Sequence, residues 1–296
     1  MPEAIPALRY FYEDMPAQAM ICAGSLLEYA LRDHTFSMPV GRVDYLHMGP
    51  MTFTEFLQAL NEERLVATLN EYQRDQIINP VIHQRLLELL RHYFFVGGMP
   101  EAVSVFAETG SLQHVNEVHS NIIQTYREDF PKYIGSRSLQ RMQHVFNFAA
   151  RSIGKKVKYS QFSRDDASAT IKSDIELLCM ARVLSKVVHS HCNGLPLQAD
   201  MDDKVYKLLF LDIGLMNAIC GINWRSLSEL TDMSLVNEGA IAEQFIGQHL
   251  LEMLSGSPNR DLNYWLREGR ANNAELDYVI ALNGQLLPIE VKAGAS

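Results

Sequence analysis

Four charged side chains near the C-terminal residues have the types and spacing for chemistry. In AELDYVIALNGQLLPIEVKAGAS, Asn283-Gly284 is the dipeptide favoured by a two-residue type I′ turn, whose central residues both need positive φ. With that turn at the tip, cross-strand partners have numbers summing to 567, so Asp277 faces Glu290 and Glu275 faces Lys292. Alternation along a strand puts Glu275, Asp277, Glu290 and Lys292 on one face, and Leu276, Tyr278, Ile280, Leu287, Ile289 and Val291 on the other. Opposed carboxylates repel, and a bound cation at Asp277 and Glu290 is one way to relieve them. The plainer alternative is a Glu275–Lys292 ion pair beside solvated acids, which contributes about 0–1 kcal/mol.

The elements that would position this hairpin are mixed. Residues 4–12 have the pattern of a short amphipathic helix, and residues 19–23 and 42–48 read as short buried strands closed by turns. Helical periodicity then runs through Phe53, Phe56, Leu57 and Leu60, through residues 81–93, and through 111–126. Between the last two, Gly97-Gly98-Met99-Pro100 reads as a backbone turn allowing close helix packing. Farther on come a helix at 138–153, a strand at 157–159, helices at 160–166 and 169–181, and strands at 183–188 and 204–210. That is the order of a winged helix-turn-helix. A long helix from Val236 carries Ile241, Ala242, Phe245, Ile246, Leu250 and Leu254 on a helical period, with a strand at 262–267 before the hairpin.

Composition narrows the class. A net charge of −9 argues against a globally basic nucleic-acid binder. Residues 151–186 depart locally, with eight Lys or Arg against four acids, net +4, leaving −13 for the rest. Lys155, Lys156, Lys158 and Lys172, with Ser173, are the candidate phosphate contacts there, although winged helices also mediate protein contacts. The four cysteines are scattered without a CxxC pair, and no signal peptide or membrane span is evident, so reduced thiols in a cytoplasmic protein are expected. His189-Ser190-His191-Cys192 lacks the further ligands of a zinc site and reads as a surface loop; His114 and His119, in HVNEVH, read as helix surface.

The helix, strand, Asp strand and Glu-x-Lys strand together resemble the core of PD-(D/E)xK nucleases. That resemblance implies a site of Asp277, Glu290, Lys292 and the helical Glu243, with Mg²⁺ held by Asp277 and Glu290 if active, and with Lys292 orienting the attacking water. The whole chain is also similar to prokaryotic AAA-type ATPases of unknown function that carry C-terminal winged-helix and nuclease-like domains. The ordered motifs are AGSLLE (23–28), Arg42-Val43-x-Tyr45-Leu46, Pro50-Met51-x-Phe53-x-Glu55-Phe56 and VGGMPE (96–101). FLDIGL (210–215), Tyr264-Trp265-x-Arg267 and PIEVKAG (288–294) complete the set.

Such relatives bind ATP through GxxxxGK[ST] and an acidic strand, neither of which this sequence has; its one Gly-Lys pair is Gly154-Lys155. Ser25 would be a vestigial sensor, and Arg42 would have no γ-phosphate to read. The sequence also ends four residues past Lys292, where nuclease cores add a helix and a strand. The expected fold is therefore mixed α/β and helix-rich. It comprises an incomplete P-loop-type remnant (1–50), a helical region (51–135), a winged helix (136–210) and an incomplete nuclease-like domain (211–296). The expected chain is a segment of such a protein, truncated at both ends, that does not hydrolyse ATP. The alternatives are a weak Mg²⁺-dependent nuclease on DNA or RNA, or a non-catalytic DNA- or protein-binding module. An open α/β remnant should associate with a second copy or another protein, and no membrane partner is expected.

Overall fold

A computed structural model describes residues 4–22, 41–42, 44, 46–73, 76–132, 138–222, 238–255, 261–267 and 274–293. Ser25 lies outside them. The helices are α1 (Ala4–Asp14), α2 (Phe53–Ala59), α3 (Glu63–Glu71), α4 (Pro80–Val96), α5 (Pro100–Thr109), α6 (Leu112–Asp129), α7 (Leu139–Arg151), α8 (Ser168–Met180), α9 (Ile213–Ile219) and α10 (Glu238–Met253). The strands are β1 (Leu184–Ser190), β2 (Met201–Phe210), β3 (Leu262–Arg267), β4 (Ala274–Leu282) and β5 (Gln285–Ile289). Among the described residues no helix is long and apolar enough to cross a membrane.

Local chemistry sets the helix ends. Thr52 and Glu55 form a reciprocal capping box at α2, with Thr52 N–H donating to Glu55 Oε2 at 2.6 Å. Asn79 caps α4 just before Pro80, and Gly97 ends it at φ +70°, a conformation that glycine adopts without Cβ strain. Ser111 caps α6 and Asp212 caps α9. The helix expected at 160–166 shrinks to a 3₁₀ turn at Tyr159–Gln161. Ser163 Oγ accepts from the N–H groups of Asp165 and Asp166 and donates to Asp166 Oδ2, which offers that backbone an alternative to helix.

One five-stranded mixed sheet, in the order β2-β1-β3-β4-β5, organises the second half. β1 pairs antiparallel with β2 and parallel with β3; β3–β4 and β4–β5 are antiparallel. The hairpin register is the expected one, with Tyr278 opposite Ile289 and Leu282 opposite Gln285. Its apolar face is right at Tyr278, Ile280, Ile289 and Val291, but Leu287 is 44% exposed because β5 is a sheet edge. Pro288, with no N–H to offer, blunts that edge. The pair expected as a two-stranded wing is instead two strands of this five-stranded sheet, so the division at 210 falls within one structural layer.

Among the described residues two apolar cores result. The larger joins α2 to α9 with the first two strands, centred on Phe56, Tyr93, Phe146, Ile171 and Tyr206. The smaller lies where α10 crosses the sheet, among Val187, Leu209, Leu262, Tyr264, Tyr278 and Ile280. The expected apolar stripe of α10 is not its most buried one: Ile241 is buried, but so are Gln244, Gly247 and Gln248. A Cβ on Gly247 would stand 2.6 Å from both a Leu209 methyl and Tyr278 Oη, so glycine lets this helix settle on the sheet. The strands expected at 19–23 and 42–48 do not form among their described residues; Ile21 is 95%, Leu46 89% and Met48 87% exposed. Among the described residues no strand pairs with them.

Candidate functional site

The expected acids do converge, but on a lysine that sequence reasoning did not single out. Lys207, on β2, is 4% exposed. Its Nζ lies 2.9 Å from Asp277 Oδ1, 3.0 Å from Glu275 Oε1 and 3.1 Å from Glu243 Oε2. Strands β2 and β4 are three places apart, roughly 14 Å in a flat sheet. The reach of the lysine side chain towards the acids spans much of that gap, and the ladder is irregular at Val188/His189 and Asn263/Trp265 between them. Tyr264 Oη, donating to Val205 O at 3.1 Å, spans part of the same gap. Tyr278 Oη donates to Glu243 O at 2.8 Å and fixes the helix above the cluster.

Every charge here is answered. Asp277 Oδ2 accepts from Val291 N–H at 2.9 Å, so its carboxylate also ties down the chain beyond β5. Glu275 Oε2 pairs with Lys156 at 2.6 Å. Burial disfavours the Lys207 ammonium, yet Asp277, Glu243 and Glu275 hold it above its ordinary pKa. Burial pushes the Glu243 carboxyl up against the pull of Lys207, while hydrogen bonds from Lys156 and Lys207 outweigh burial at Glu275 and hold it down. The ammonium thus occupies the position between carboxylates where a cation would be expected, and supplies the same neutralisation.

The remaining expected ligands stand elsewhere. Glu290 is exposed and pairs with Lys292, which is 72% exposed. The Glu275–Lys292 pair does not form, because Lys207 and Lys156 take the glutamate first. Glu243 and Asp277 are thus bound to an ammonium while Glu290 pairs with Lys292 at the exposed edge, a committed arrangement that does not suit a Mg²⁺ ion held by Asp277 and Glu290. Among the described residues, no group of three or more His, Cys, Asp or Glu is placed to hold a metal.

The basic stretch is similarly committed. Lys156 belongs to Glu275, and Lys172 sits 3.4 Å from Asp203 and 3.9 Å from Glu176, over the Tyr159 ring. Lys155 and Lys158 remain exposed. Arg42 pairs with Glu13 at 2.8 Å. His189 and Ser190 belong to β1, with Ser190 fully buried, and only His191 and Cys192 continue into the loop.

A second buried polar junction gathers three of the sequence motifs. Gly97-Gly98 meets Met51 and Asp212: Gly98 N–H donates to Asp212 Oδ2 at 2.6 Å, and Met51 N–H to Gly98 O at 2.7 Å. Tyr93 Oη donates to Met51 O at 2.6 Å. Asp212 is fully buried, and Oδ1 accepts from Leu215 N–H at 2.9 Å. Burial raises its pKa against backbone N–H donors and His119, and burial lowers that of His119. His119 is not helix surface: it is 1% exposed, with Nε2 3.0 Å from Val96 O. Gln248 of α10 completes the junction, accepting from Ile213 N–H and donating to Tyr93 Oη. Gln244 similarly brackets both backbone groups of Phe210.

Comparison with known proteins finds two family matches, and both polar clusters draw residues from each matched region. No curated protein and no solved structure matches the chain. Residues 87–226 match a family described as a domain of unknown function (DUF8612), which contains α4 through α9 with β1 and β2 apart from the first residues of α4. Residues 238–296 match a second, also described as a domain of unknown function (DUF4143), which contains α10 and the remaining strands.

Proposed function

We propose that this chain is a non-catalytic interaction module whose C-terminal part has the layout of a nuclease core with an internal ammonium in place of the metal. The observation that carries this is Lys207 Nζ within 3.1 Å of Glu243, Glu275 and Asp277. A divalent ion entering there would have to displace a buried ammonium held by three carboxylates and then remain beside its positive charge. The element order at 139–210 supports a winged-helix reading of that region, used for packing: two of its four candidate lysines are held by acids. Placement with AAA-type ATPases rests on the ordered motifs, and the match of residues 238–296 is consistent with it. Without a phosphate cradle in its sequence, the chain itself should not turn over ATP.

The test is incubation of the purified chain with DNA and RNA in millimolar Mg²⁺ or Mn²⁺, beside Asp277→Asn and Lys292→Ala. The expected result is no cleavage above the level of the variants, and no saturable Mg²⁺ site by calorimetry. Metal-supported cleavage that both substitutions abolish would establish the nuclease reading instead.

A further inference from the structure

The N-terminal end of α2 is held to α10 through one imidazole ring. His249 of α10 is half-buried, and its Nε2 lies 2.8 Å from the backbone nitrogen of Phe53. Phe53 is the first residue of α2, so its N–H has no carbonyl within the helix to meet. An N–H can only donate, which makes Nε2 the acceptor. The ring proton must then sit on Nδ1, which lies 2.8 Å from Phe245 O and donates to it. The two ring nitrogens are thus used in opposite senses, and the neutral imidazole alone can do this. A second proton, on Nε2, would set one N–H against another.

The surroundings give that second proton little help. Phe245 packs on the ring at 4.2 Å between centroids, and Tyr93 of α4 meets it in a T at 5.7 Å. The carboxylates on the elements around it are Glu55 of α2 and Glu252 of α10. Glu55 is engaged by the N–H and hydroxyl of Thr52 in the capping box, and Glu252 lies against Gly49. Burial lowers the pKa of His249, and the bond to Phe245 O and the charge of Glu55 do not offset it. The stability that the neutral ring contributes is therefore whole above the ordinary histidine value of 6.5 and is lost as pH falls from there through the folded value. Met51 is tied separately to Gly98 and Tyr93, so the loss falls on the contact between α2 and α10. We propose that His249 is a proton-sensitive latch: its neutral ring docks α2 on α10, and its protonation releases the N-terminal end of α2.

The experiment follows the Phe53 amide and the His249 ring nitrogens of the full chain by NMR, between about pH 7.5 and about pH 5. The expected result is a neutral ring with its proton on Nδ1 at the upper end. Protection of the Phe53 amide, corrected for the intrinsic pH dependence of exchange, should fall about tenfold at the lower end, the scale of one hydrogen bond whose donor is left unmet. His249→Gln keeps an acceptor without a titrating group and should hold that protection flat. Equal pH dependence in the two proteins would overturn the proposal. So would a ring proton on Nε2 at the upper end, or Phe53 protection that never changes. Should the variant fold poorly, the unsubstituted chain decides alone: ring and amide must titrate with one shared midpoint, and separate midpoints would overturn the latch.

Discussion

Lys207→Met is expected to destabilise the chain by about 3–5 kcal/mol at neutral pH, the range for removing one partner of a buried ion pair. Methionine fills similar volume, so the loss is one of charge: Glu243, Glu275 and Asp277 would face each other with only Lys156 nearby. The pH dependence separates this from a packing defect. Without the ammonium, like-charge repulsion and burial raise the folded-state pKa of Glu243 and Glu275 above the unfolded value. The penalty is then full at pH 7 and is relieved as pH falls through those raised values. In the unsubstituted chain, Glu275 is held below its ordinary value and contributes stability that is lost as pH falls through its folded pKa. Urea unfolding at pH 7 and near pH 5 should therefore show the gap between the two proteins closing at the lower pH. A gap that stays constant would mean that Lys207 acts through its aliphatic stem. Millimolar Mn²⁺ or Ca²⁺ should stabilise Lys207→Met and leave the unsubstituted chain unmoved, since a ligand stabilises only the state that binds it.

The second large effect is expected at Asp212. Its carboxylate accepts from Gly98 and Leu215 N–H groups in a fully buried site, and alanine there would orphan both donors at about 1–3 kcal/mol each. Gly97→Ala should be comparably severe, because a Cβ would stand 2.2 Å from Asp212 Oδ1 on a backbone already at φ +70°. The two substitutions share one collision. In a double-mutant cycle by chemical denaturation, Gly97→Ala should cost less when Asp212 is already alanine, leaving only the φ strain. Strict additivity would show that the close approach is relieved by backbone movement.

How much of this was legible in the sequence depends on range. Asn283-Gly284 fixed the hairpin register because a two-residue turn leaves no freedom in counting. Helices with a clear 3.6 period and a capping residue, such as the one beginning after Ser111, were readable for the same local reason. Lys207 was not, since its partners lie up to 70 residues away. The signal available was a lysine inside Val205–Phe210, an otherwise apolar run; a strand buried on both faces cannot hold a lysine without acids to meet it. Gln244 and Gln248, four apart amid apolar residues, were a similar sign of strand and helix ends needing partners. The short strands foreseen near residues 20 and 45 had the right composition, but composition cannot supply a neighbouring strand.

The two family matches divide a sheet that the molecule does not divide. β1 and β2 fall in one, β3 to β5 in the other, and the ammonium that neutralises the second half's acids is rooted in the first. Evolutionary units and units of cooperative unfolding therefore need not coincide here. Residues 238–296 severed from the rest would expose one side of β3 and leave three carboxylates without their cation. The stability of the C-terminal part is thus a property of the joined sheet, and any event that loosens β2 will be felt at the chain beyond β5 through the single carboxylate of Asp277.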